Sequence, residues 1–86
     1  MTANAKAAPQ DARTLDLRGL KCPLPALRTR KALAKMAPGA TLVVACTDPM
    51  AAIDIPHFVA GNGHVLEGQS ADAGVLTFRI RRGAAS

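Results

Sequence analysis

The 86-residue chain carries eleven Lys and Arg against six Asp and Glu, a formal net charge of +5, and 49 % of it is hydrophobic. This length suits one domain with a modest core, and the apolar content excludes a disordered chain. No apolar run approaches a membrane span, two Phe with no Trp or Tyr argue against a base-stacking platform, and the charge favours an acidic partner.

In chain order, residues 1–12 read as a flexible Ala-rich tail that lacks the apolar stretch of a secretory signal. The protein is therefore expected in the cytoplasm, where a structural disulfide between its two cysteines is disfavoured. From Arg13 to Leu17, Leu15 and Leu17 alternate with Thr14 and Asp16, which predicts a first strand that Gly19 ends. Pro23 to Met36 has helical composition, stopped by Ala37-Pro38-Gly39. A helical projection gathers Ala26, Thr29, Leu33, Met36 and Ala37 on one face, with Arg28, Lys31 and Lys35 opposite. Leu24 falls on the basic face and Arg30 near the apolar one.

Thr41 to Cys46, "TLVVAC", predicts a central strand buried on both faces. Cys46 alternates there with Leu42 and Val44, so it reads as core. Asp48-Pro49 marks a second helix start, the carboxylate capping free N–H groups and proline taking the first turn. Pro56 predicts a kink or restart near Asp54, and Gly61-Asn62-Gly63 ends the element. Two strands close the chain, near His64 to Gln69 and Gly74 to Arg81. In the last, Leu76, Phe78 and Ile80 oppose Thr77, Arg79 and Arg81, which implies a sheet covered on one side. The expected fold is an α/β two-layer sandwich over residues 13–82, ordered β-α-β-α-β-β, a four-stranded mixed sheet with two helices on one face. Residues 83–86 are expected to fray.

The chemistry concentrates at Cys22-Pro23-Leu24-Pro25. With Cys22 as N-cap, Pro23 and Pro25 occupy first-turn positions that have no helical hydrogen bond to lose. Both prolines fix the backbone and pose the sulfur, leaving the Leu24 N–H beside it. The helix N-terminus, reinforced by Arg18, Lys21 and Arg28, is expected to favour a thiolate and, equally, a persulfide anion. No second cysteine stands at the spacing that resolves a mixed disulfide. Sulfur held on Cys22 would survive, which points to a carrier rather than a disulfide oxidoreductase.

"LDLRGLKCPLPALRTRKAL", "PGATLVV" and "TDPMAAIDIPHF" together resemble the TusA (SirA-like) family of sulfur carriers and sulfurtransferases. The resemblance runs from about Leu15 through Phe58, and the closing strands fit in length and pattern. It implies the same β-α-β-α-β-β sandwich and a Cys22 that accepts sulfane sulfur as a persulfide. It implies as partners a cysteine desulfurase or rhodanese-like donor and a downstream acceptor protein, in tRNA thiolation, sulfur oxidation or cofactor sulfuration. Pro23, Leu24 and Pro25 frame the acceptor. Lys21, Arg28, Arg30 and Lys31 are expected to dock partners, with Arg30 and Lys31 matching the family's basic pair. Asp48 and Asp54 match family aspartates and are also expected to bind partners, with local capping the alternative for Asp54, and Phe58 is expected in the core. Leu24 stands where the tRNA-thiolation type carries glutamate, and Val59 where some members carry a second cysteine.

Two other readings compete. A small basic nucleic-acid module is suggested by "RIRR" at Arg79 to Arg82, but no RNA-binding aromatic signature or zinc-finger spacing accompanies it. A regulatory domain would leave Cys22 unused. No cofactor or metal is expected, since His57, His64 and the two thiols lack ligand spacing. Neither membrane association nor direct nucleic-acid contact is favoured.

Overall fold

Alternating side chains give the strands one apolar face, and the helices supply a cover for it. The computed structural model describes residues 12–83; the expected tails fall almost wholly outside the described residues. Strand β1 (Ala12–Leu17) is followed by α1 (Leu24–Ala34), β2 (Thr41–Cys46), α2 (Ala51–Gly61), β3 (Val65–Asp72) and β4 (Val75–Arg81). The sheet order is β1-β2-β4-β3, with β1 parallel to β2 and the other pairs antiparallel. This is the expected mixed-sheet sandwich.

Leu17, Leu42, Val44, Cys46, Phe78 and Ile80 form the buried face of the sheet, against Leu33, Met36, Ala51, Ile55 and Val59. Phe78 is the largest fully buried side chain; burying residues of this kind contributes about 1.5–3 kcal/mol each. Thr29 lies on the buried face of α1 as the projection predicts, but its Oγ1 has no hydrogen-bond partner among the described residues. Ala37 is exposed, because α1 ends at Ala34.

Two expectations are corrected. Strand β2 is buried on one face only: Thr41, Val43 and Ala45 are half-exposed because both helices lie on the other side. Helix α2 runs from Ala51 to Gly61 straight through Pro56. That proline removes a single helical bond, to the Ala52 carbonyl, while fully buried Ile55 and Val59 hold the segment against the sheet.

On the open sheet face, a register shift between Leu66 and Gly68 marks a bulge at Glu67. Its carboxylate pairs with Arg79 at 3.6 Å and Arg81 at 3.3 Å. Arg82 instead donates to the carbonyls of Leu33 and Gly83, each at 2.7 Å. Three arginines of "RIRR" therefore have partners within the fold.

Each helix carries the chain back between two strands of the same direction. The N-termini of α1 and α2 consequently share the edge of the sheet where β1 and β2 end, as expected at the carboxyl ends of parallel strands. That edge holds Cys22.

Candidate functional site

Two loops build the site. After β1, Arg18 turns back to grip the Asp16 carboxylate through its backbone N–H at 3.1 Å and its guanidinium at 2.8 and 2.9 Å. That guanidinium holds Asp16 down at about 2. Gly19 then takes a φ of 88°, which suits glycine, and its N–H donates to Thr47 Oγ1 at 2.8 Å. The Cys22 N–H donates to Asp48 Oδ2, and Asp48 Oδ1 accepts the Met50 N–H at 3.1 Å. Asp48 thus ties the cysteine loop to the start of α2.

The helix starts lie one or two residues later than the sequence predicts. Pro23, not Cys22, is the N-cap of α1, and Pro25 is the helix's second residue. The Leu24 N–H is not free beside the sulfur, because it closes a turn onto the Lys21 carbonyl at 2.8 Å. The Cys22–Pro23 peptide bond is cis. At α2 the N-cap is Met50, so Pro49 precedes the helix, and Asp48 acts from outside as an acceptor for the Met50 N–H.

Cys22 is exposed, and its Sγ stands 3.0 Å from Asp54 Oδ2. This contact overturns the expectation of a thiolate at rest. Its hydrogen bond to Asp54 pushes the Cys22 thiol above its ordinary value, and desolvation and the charges of Asp54 and Asp48 push the same way. The partial positive charge of the helix end is outweighed by carboxylates that the fold sets beside the sulfur. Asp54 was expected to be a local cap or a docking residue. It projects from the first turn of α2 to the thiol.

Around that edge the first turns expose apolar side chains: Leu24 (41 %), Leu27 (49 %), Met50 (45 %) and Ile53 (63 %). Leu24 was expected on the outer face. Leu27, Met50 and Ile53 were missed, although Met50 and Ile53, three apart, fall off the stripe set by Ala51, Ile55 and Val59.

The residues expected to dock partners do not form one patch. Lys21 borders a shallow cleft with Gly19, Leu20, Thr47, Asp48 and Pro49. Arg28 and Lys31 lie on the flank of α1 that faces β1. Arg30 lies on the other flank, over Phe58, Asn62, His64 and Arg82, and is exposed rather than tucked under the helix. Phe58 is half-buried and packs on the core from its margin, its ring 5.8 Å from that of His64. His64 Nδ1 accepts the Gly83 N–H at 2.9 Å; burial and Arg82 hold its pKa below the ordinary value.

Cys46 is fully buried at the end of β2, as expected. Burial, aided by Asp48, pushes its thiol up to about 11. Both cysteines are free thiols. Among the described residues no group of three His, Cys, Asp or Glu could hold a metal ion, and no helix is long and apolar enough to cross a membrane.

Known proteins resemble this chain in sequence and in fold. The family model described as sulfurtransferase TusA matches residues 13–82. A sulfur carrier protein TusA from Pseudomonas entomophila is 42 % identical over 69 residues, 80 % of this chain and 86 % of that one. A Neisseria meningitidis serogroup A relative, provisionally named a sulfur carrier protein, is 48 % identical over 68 residues, 79 % of this chain and 92 % of that one. The crystal structure of a SirA-like protein from Desulfitobacterium hafniense superposes with a TM-score of 0.73 at 29 % identity, covering 83 % of this chain and 97 % of that one.

Proposed function

This chain belongs to the TusA family, whose model covers residues 13–82, and from that premise we propose that it is a sulfur carrier working through a persulfide on Cys22. The observation that carries the reading is an exposed thiol with a carboxylate oxygen at 3.0 Å. The sulfur is open to a partner, and a proton acceptor is already in place.

Loading is one displacement. Cys22 Sγ attacks the outer sulfur of a donor persulfide while its proton passes to Asp54. The donor's S–S bond breaks, and the inner sulfur leaves as a thiolate that takes up a proton. Discharge repeats the step, with an acceptor thiolate attacking the outer sulfur and Cys22 Sγ leaving. Cys22 ends as it began, so the protein relays sulfur without net oxidation or reduction. Pro23 and Pro25 stiffen the approach, and the apolar rim gives a partner a surface that expels water around the reacting sulfurs.

The donor is a cysteine desulfurase or a rhodanese-like protein, and the acceptor a downstream sulfur-using protein. The reducing cytoplasm suits a carrier whose thiols remain unpaired. Mass spectrometry after incubation with a cysteine desulfurase, cysteine and pyridoxal phosphate tests this. Wild type should gain one reductant-labile sulfur on the Cys22 peptide, and Cys22→Ser none. An unloaded wild type, with a rhodanese donor tried as well, would overturn the reading.

A further inference from the structure

The observation that leads furthest beyond the Cys22 edge is a basic cleft of about 330 Å³ between β1 and α1, lined by Arg13, Leu15, Arg28, Lys31, Ala32 and Lys35. Its four charged residues are all cations and all exposed. Among the described residues none of them takes part in an ion pair, whereas Arg18, Arg79 and Arg81 do. Arg28, Lys31 and Lys35 follow one another at three- and four-residue spacing along one helix flank, where like charges repel. Arg13 adds a fourth charge from the strand opposite. Among the described residues this positive charge has no paired anion, and it surrounds half-buried apolar Leu15 and Ala32.

The second feature is the strand itself. Among the described residues β1 is an edge strand paired with β2 alone, so alternate backbone N–H and C=O groups along its outer side point away from the sheet. Arg13 and Leu15 share the helix side of β1 with Leu17, so a further strand laid on this edge would present every second side chain to Arg28, Lys31 and Lys35. We infer that this cleft binds an extended acidic segment of a protein partner, added antiparallel or parallel to β1 as a fifth strand. Backbone bonds would supply affinity, and carboxylates at alternate positions the specificity. The apolar floor and the strand edge favour a peptide over a nucleic acid, and no aromatic residue lines the cleft to stack a base. The inference rests on the cleft and not on the chemistry of Cys22.

Fluorescence anisotropy with a labelled eight-residue peptide of alternating Glu and Thr tests it, against the same peptide with Gln for Glu and against an oligouridylate. The Glu peptide should bind and the Gln peptide should not. Arg28→Glu with Lys31→Glu should weaken binding by about tenfold or more. Arg79→Glu with Arg81→Glu, the same charge change on the open sheet face, should weaken it far less. Amide hydrogen exchange across residues 12–17 should slow when the Glu peptide is bound. Equal losses from both double variants, unchanged exchange in β1, or tighter binding of the oligouridylate with the same loss in the cleft variant would each overturn the inference. Circular dichroism melts establish that both variants fold.

Discussion

The two cysteines occupy neighbouring ends of the parallel pair β1 and β2, since Leu17, five residues before Cys22, is in register with Cys46. Both thiols are held above their ordinary value, yet the causes differ. For Cys46 burial leads, a general penalty on any charge in the core. For Cys22 the leading cause is one hydrogen bond to the Asp54 carboxylate. A thiol raised by burial is inert, because nothing can reach it and no partner relieves the penalty. A thiol raised by a surface carboxylate has its proton held beside an acceptor, in the open.

The largest expected effects come from removing each sulfur in turn. Cys46→Ser places a hydroxyl at a fully buried position and should lower stability by about 1–3 kcal/mol, read by urea unfolding, while folded molecules still load sulfur on Cys22. Cys22→Ser should leave the unfolding midpoint nearly unchanged while abolishing loading. If Cys46→Ser loses loading at full stability, the division of labour fails.

A smaller effect is the pH dependence that Cys46 contributes. Its folded-state pKa of about 11 lies above the ordinary 9.0, so the unfolded chain releases this proton at lower pH. The corresponding stability is fully present below about pH 9 and is lost as pH rises through about 11, by at most about 3 kcal/mol. Urea unfolding at about pH 8 and about pH 10.5 should show a steeper loss in wild type than in Cys46→Ala. Parallel slopes would mean that Asp48 and burial do not act on this thiol as described.

How much of this was legible in the sequence follows from the range of each interaction. The alternation at Leu76, Phe78 and Ile80 and the helical stripe through Thr29 and Leu33 are local patterns that point to the fold, as the alternation of Leu42, Val44 and Cys46 points to a buried Cys46. The Cys-Pro-x-Pro turn located the exposed sulfur. The protonation state of that sulfur was not legible, because Cys22 and Asp54 are 32 residues apart and meet only when both helix N-termini are brought to one edge. Arg18 and Lys21 stand near the cysteine in sequence, but in the fold Arg18 is engaged by Asp16. Pro56 misled for the opposite reason, since its local rule was outweighed by the burial of Ile55 and Val59.

The smallest effect separates the two causes most sharply. Asp54→Asn keeps the size of the side chain and a hydrogen-bonding oxygen but removes the charge that holds the Cys22 proton. The pH midpoint for iodoacetamide alkylation of Cys22 should fall, making the variant severalfold faster than wild type near neutral pH. Asp48→Asn should move it less, because Asp48 acts on the sulfur through charge alone and spends its oxygens on the Cys22 and Met50 N–H groups. Cys46 should stay unreactive in both, since its leading cause is burial. An unmoved midpoint in Asp54→Asn would leave desolvation as the cause at Cys22, and the two thiols would then differ only in exposure.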